Sequence, residues 1–315
     1  YASATLLDEL AYRHLTPPPE AIETLPEARD PELERQIREA AWSGDAREPY
    51  LVYADWLQER RDPLGELIVL GVAATDAPED ESAATRFERH RQLLDARLFG
   101  ALKAKLHGRV ALTWRNGLVD GIEEIKQLGW HLWDELLSLR VCDALRSITL
   151  VRPVAPELDA SIDTHASEAF SKLVLHHCQG KLPEKILQRR LRHLVLGGHV
   201  VLDKTSFAPT LEILELRVDK AETPVEILSP LPLPVRELRV TLTTSLANFL
   251  ADRLDLSNVG RLVFDGGSAT KAISLLARVE TPALRHLAIT DGALESRALG
   301  KLADHTSIEY VFYLC

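Results

Sequence analysis

Few residue groups in this sequence have the types and spacing that chemistry requires. His176, His177 and Cys178 put three metal-ligand types in a row. Neighbours on an extended strand point to opposite faces, however, and no second cluster completes a tetrahedral set. Asp55 places a carboxylate inside an apolar helical run, with no second carboxylate, histidine or nucleophile at a diagnostic spacing. Its expected role is structural: an ion pair with Arg60 or Arg61, or hydrogen bonds that fix a helix joint. Gly197-Gly198 and Gly266-Gly267 resemble fragments of phosphate loops but lack the further glycines and the Lys-Ser/Thr. They read as turns leaving strands. H-E-x-x-H, G-x-S-x-G, C-x-x-C and kinase signatures are absent from the sequence. The residues therefore predict no catalytic group, no metal and no cofactor, and the chemistry to look for is that of binding.

A binding surface needs elements to hold it, and a recurring phrase supplies them. Apolar-x-x-apolar-x-apolar starts at Leu145, Phe170, Leu191, Leu211, Val235, Val259, Leu284 and Ile308, in steps of 25, 21, 20, 24, 24, 25 and 24 residues. Those steps lie within the leucine-rich-repeat period. Strand alternation sends the fourth and sixth positions of each phrase into a core and the third and fifth to the opposite, concave side. The third-position row is Ser147, Lys172, His193, Ile213, Glu237, Arg261, His286 and Tyr310, and the fifth-position row is Thr149, Val174, Val195, Glu215, Arg239, Val263, Ala288 and Phe312. Neither row has one sign of charge. Arginine and aromatic residues within an apolar patch suit a protein partner. The predicted contact set is Lys172, His193, Ile213, Glu215, Glu237, Arg239, Arg261, Val263, His286, Tyr310 and Phe312. The competing reading is that the valines are there as good strand formers.

The return segments should be helical or looped, with helical character at Leu246 to Leu254, Ala269 to Ala277 and Leu294 to Ala303. The asparagine or cysteine expected three positions past the last core leucine is replaced by a mixed set, so no asparagine ladder forms. The expected architecture is α/β: a small helical region followed by a leucine-rich-repeat-like solenoid, with parallel concave strands and a helical or looped convex side.

Ahead of the repeats, residues 1–30 carry Pro17-Pro18-Pro19 and Pro26 and read as an arm or linker. Residues 31–107 are patterned as helices, including one long helix over 82–106. Val52 with Trp56 and Tyr53 with Leu57 are i,i+4 pairs that should face a small core, and Asp62 should cap the helix beginning at Pro63. Residues 108–144 should cap the array. They contain two strands, Val110 to Trp114 and Leu118 to Ile125, around Arg115-Asn116-Gly117. The array itself occupies residues 145–315, about eight units.

The run Val52 to Leu57, Glu59, Arg60, Asp62, Pro63, Gly65 and Glu66 resembles the bacterial repeat-companion domain, whose members carry V-Y-A-D-W-L-E-E-R-G-D-P-R-G-E. Arg61 stands where that family usually has glycine, and Leu64 where it often has arginine. The resemblance covers roughly residues 32 to 75, with a weaker echo through Trp114-Arg115-Asn116-Gly117. It implies that a repeat array should follow, and a role in bacterial regulation or defence is compatible with it.

Bulk properties narrow the partner. With 46% hydrophobic and 27% charged residues, the balance is that of a folded chain. A net charge of −10 argues against general nucleic-acid binding. Three widely separated cysteines, Cys142, Cys178 and Cys315, do not form a disulfide framework. No apolar run is long enough to span a membrane, so a cytoplasmic location is expected. Two functions follow. One is a non-catalytic interaction scaffold or adaptor that binds a protein on the concave face. The other is an enzyme or enzyme subunit with its site at the junction near Asp55, Trp56, Trp114 and Arg115.

Overall fold

The structure is a computed structural model that describes residues 29–44, 46–151, 156–165, 168–181, 187–202, 207–217, 225–227, 231–232, 234–241, 254–265, 276, 281–290, 308 and 310–314. Most of the N-terminal arm and nearly all of the three expected return helices fall outside these residues, as do the Gly266-Gly267 turn and the side chains of His177, Cys178, Tyr310 and Phe312.

The chain is α/β, with an N-terminal helical region leading into an open, mostly parallel sheet. Helix α1 (Pro31–Ser43) starts where Asp30 accepts hydrogen bonds from the backbone N–H groups of Glu32 and Leu33, and stops at Gly44, whose φ is 96°. Helix α2 (Glu48–Glu59) and helix α3 (Pro63–Asp76) form a tight pair. Asp62 Oδ1 accepts from the N–H of Leu64 at 3.0 Å, with Pro63 at the first helical position. The joint also requires a left-handed residue, and Arg61 supplies it at φ 58°.

Tyr53 and Leu57 are buried, as their spacing implies. Val52 is not: it is 45% exposed, because α2 is covered on one side only and that side carries Tyr50, Tyr53, Ala54 and Leu57. The expected long helix over 82–106 is two helices, α4 (Glu81–Phe99) and α5 (Leu102–Leu106). Gly100, at φ 52° and ψ −134°, leaves helical geometry between them.

Strands β1 (Val110–Arg115) and β2 (Leu118–Glu124) form an antiparallel hairpin around Asn116 (φ 51°) and Gly117 (φ 78°). Backbone meets backbone here. A Cβ on Gly71 of α3 would lie 1.9 Å from Gly117 N, and one on Gly117 would lie 2.4 Å from Ile68 Cα. Only two glycines allow α3 to sit this close to the hairpin.

Helix α6 (Trp130–Leu137) and a 3₁₀ turn at Arg140–Cys142 lead into β3 (Ser147–Leu150), which pairs with β2 in parallel. Helix α7 (Pro156–His165) follows β3 and is tied to α6 by Asp134, which accepts from Ser161 Oγ at 3.2 Å and lies 3.1 Å from His165 Nε2. The sheet then runs through β4 (Lys172–Lys181), β5 (His193–Leu202) and β6 (Ile213–Arg217), with β7 (Val225–Ile227) pairing the far part of β5. A small parallel pair is made by β8 (Leu231–Pro232) and β10 (Leu254–Asp255). The main sheet continues from β6 to β9 (Glu237–Thr241), β11 (Arg261–Asp265), β12 (His286–Thr290) and β13 (Tyr310–Leu314).

The recurring phrase accounts for the core. The first, fourth and sixth residue of each phrase, from Leu145-Ile148-Leu150 through Leu284-Leu287-Ile289, is buried, and neighbouring phrases pair position for position. The cores are continuous with the buried residues of the helical region, including Tyr53, Leu67 and Trp133. The glycines after Leu196 do not form a turn: β5 runs through Gly197 and Gly198 to Leu202, with Gly198 at φ 82°. The pairing of β4 with β5 shifts register between Leu175 and Cys178 and then resumes. An extra length of parallel ladder replaces the expected turn.

Candidate functional site

The face opposite the core carries the predicted contact residues, and their register makes it a grid. Lys172, His193, Ile213, Glu237, Arg261 and His286 stand side by side on consecutive strands, as do Glu215, Arg239 and Val263. Tyr310 and Phe312 extend both rows on the backbone of β13.

Acidic side chains with basic neighbours stand at the centre of the grid. Glu215 lies 2.6 Å from Arg217 Nε and 3.6 Å from His193 Nε2, and these two neighbours hold its carboxyl well below the usual range, at about 2. Glu237 lies 2.6 Å from Arg239 Nε and 3.9 Å from Arg261 Nε. Arg261 is exposed, whereas Arg239 is half-buried. The two 2.6 Å hydrogen bonds restrain Arg217 and Arg239, which lowers the rotamer entropy a partner would have to remove.

The apolar part of the face is smaller than its sequence implies. Val174 and Val195, expected to be open to a partner, are both buried, as is Ala288. Val174 and Val195 are in register with each other, between Thr149 and Glu215 of the same row. Strands stand about 4.8 Å apart, so lateral packing covers such short side chains from both sides. Val263 and Ile213 remain half-buried.

A third row was not anticipated. The second residue of each phrase lies at the leading edge of its strand, where its N–H donates to the carbonyl of the equivalent residue one strand earlier, as in Arg192 to Ser171 O at 2.8 Å and Arg236 to Glu212 O at 3.0 Å. Along the sheet this row reads Arg146, Ser171, Arg192, Glu212, Arg236, Gly260, Arg285, with arginine on every second strand. The helical region reaches the same edge. The Trp42 ring of α1 lies 4.1 Å from the Arg190 guanidinium and 4.5 Å from that of Arg192. The alternation was readable in the second column of the repeat, since its period is two repeats rather than one.

At the junction the four expected residues do not converge. Asp55 is exposed on α2 and forms no ion pair among the described residues. Arg60 turns away from it, donating to Trp56 O at 2.9 Å and lying over the Trp56 ring at 3.9 Å. Trp56 stacks on Tyr53, and Trp114 packs edge-on against Phe87 and Phe99. Arg115 donates to Gly44 O at 2.5 Å.

A different titratable cluster forms nearby. Arg29 Nη1 lies 3.4 Å from Glu34 and 3.1 Å from Asp143, and the Tyr53 hydroxyl lies 3.5 Å from Glu34. Burial, with Glu34 adding to it, pushes the Asp143 carboxyl up to about 6. Cys142 beside it is buried, and burial pushes its thiol up, away from the thiolate a nucleophile needs. Among the described residues no group of three or more His, Cys, Asp or Glu is placed to hold a metal.

No family model matches the chain, and no curated protein matches it. Among the described residues no helix is long and apolar enough to cross a membrane.

Proposed function

We propose that this protein is a non-catalytic interaction scaffold or adaptor: a repeat-companion-like helical region followed by a leucine-rich-repeat-like solenoid whose concave face holds a protein partner. The observation that carries this reading is the grid of in-register strands, on which Glu215 pairs with Arg217 and Glu237 with Arg239, beside His193 and Arg261, opposite a continuous core. Pre-set charged groups with half-buried Ile213 and Val263 between them suit a protein surface. The repeating phrase and its one strand per unit support the solenoid, and the locally specified α2–α3 joint supports the companion reading. A regulatory or defence role in a bacterial cell fits this arrangement.

The test is affinity purification from the native host with wild type beside an Arg239→Glu/Arg261→Glu variant. A partner recovered by wild type and lost by the variant is expected. Equal recovery by a folded variant would remove this face from consideration.

The enzymatic alternative retains one supporting observation, a polar cleft at the junction that includes Arg115. Its lining offers cations and a phenol but no paired carboxylates and no nucleophile beside a base, which favours the scaffold.

A further inference from the structure

The cleft lies where the end of α1, the first turn of α2, the last turn of α3 and the β1–β2 turn meet. It has a volume of about 300 Å³, and its lining includes Arg47, Tyr50, Asp76, Arg115, Asn116 and Arg146. Three guanidinium groups therefore converge on it from separate elements. Two are balanced: Arg47 lies 2.6 Å from Asp76, and Arg146 makes a two-pronged pair with Asp120. Arg115 is different. Its Nη2 donates to the carbonyl of Gly44, a neutral acceptor, so one positive charge in the cleft has no carboxylate opposite it among the described residues.

Two neutral polar groups accompany it. Tyr50 is buried, and burial pushes its phenol up to about 12, which leaves it a neutral O–H donor at pH 7. The amide side chain of Asn116 lies beside that hydroxyl, on a backbone held at φ 51° with its N–H donating to Thr75 Oγ1 at 3.3 Å. A guanidinium fork, a phenol and an amide around one space match the two or three oxygens of an oxyanion.

We propose that this cleft binds the oxyanionic group, phosphate or carboxylate, of a small ligand. Arg115 is the charged anchor, and Tyr50 and Asn116 are neutral donors. The space exceeds that of a bare anion, so a small organic group can enter with it. The site is separate from the strand face of the proposed scaffold, and its occupancy does not depend on that reading.

Calorimetric titration of the full chain with inorganic phosphate, and separately with acetate at matched ionic strength, tests the site. Wild type is expected to bind at least one of the two, and the preferred anion identifies the chemical group. Arg115→Gln should weaken binding by about tenfold or more, the loss of a charge-assisted pair, while Arg285→Gln on the far strands leaves it unchanged. Tyr50→Phe deletes one donor without removing charge and should weaken binding by about three- to tenfold, so it decides the matter if Arg115→Gln does not fold. The proposal is overturned if neither anion binds wild type at tens of millimolar, or if folded Arg115→Gln and Tyr50→Phe both bind as wild type does.

Discussion

Arg140 and Asp62 stand 78 positions apart in the chain, and their side chains meet at 2.6 Å, Nη2 to Oδ2, with both nearly buried. The same Asp62 caps α3 through its other oxygen. One carboxylate thus fixes the α2–α3 joint and ties it to the turn that precedes the first parallel strand. Removing the cation alone leaves a buried charge behind. Arg140→Met should cost about 3 to 5 kcal/mol of unfolding free energy, whereas Arg35→Met, in the exposed pairs with Glu32 and Glu39, should leave stability nearly unchanged. Urea denaturation of both variants gives the comparison, and equal losses would show that burial is not what matters.

Arg61 occupies the left-handed region at φ 58°, at the position where the resembled family has glycine. A side chain there costs about 1 kcal/mol, partly offset by the greater freedom glycine has when unfolded. Arg61→Gly should therefore raise stability by up to about 1 kcal/mol. A lower urea midpoint in the variant would mean that the arginine makes contacts outweighing its strain.

Two glycines separate backbone strain from crowding. Gly44 has φ 96°, and a Cβ added there would meet no atom within 4 Å, while Gly117 has φ 78° and would bring a Cβ to 2.4 Å from Ile68 Cα. Gly44→Ala should cost about 1 kcal/mol, the conformational part alone. Gly117→Ala should cost about 3 kcal/mol or more, because α3 must also move. Thermal melts of the two variants test the difference, and similar losses would refute the close approach.

The half-buried Asp143 makes stability depend on pH in an unusual direction. Its folded pKa of about 6 lies above its ordinary value of 3.8, so the folded state holds the proton more tightly. Its contribution to stability therefore rises as pH falls from about 7 toward 4. Glu215 acts oppositely: its contribution is present above 4.5 and is lost as pH falls toward about 2. Between pH 7 and 5 only Asp143 of this pair changes, and wild type should gain on the order of 1 kcal/mol that Asp143→Asn does not. Parallel urea midpoints at the two pH values in both proteins would contradict this.

How much of this was legible in the sequence depended on whether a feature was local or periodic. Asp62-Pro63 announced a capped helix, and Arg115-Asn116-Gly117 a turn, because each rests on the conformational preferences of its own residues. The leucines of the phrase were readable because burial repeats with them. Three things were not. The cover over Val174 and Val195 comes from adjacent strands, and their own sequence alternates normally. The Arg140–Asp62 pair joins segments with no shared period. The cleft depends on where α1, α2 and the β1–β2 turn come together, and no single stretch encodes that meeting.

The glycine-to-glycine approach of α3 to the β1–β2 hairpin has a mechanical consequence. Gly71 and Gly117 touch through backbone atoms, with no side chain between them to change rotamer and absorb a displacement. A displacement of the β1–β2 turn therefore passes to α3 directly, backbone against backbone.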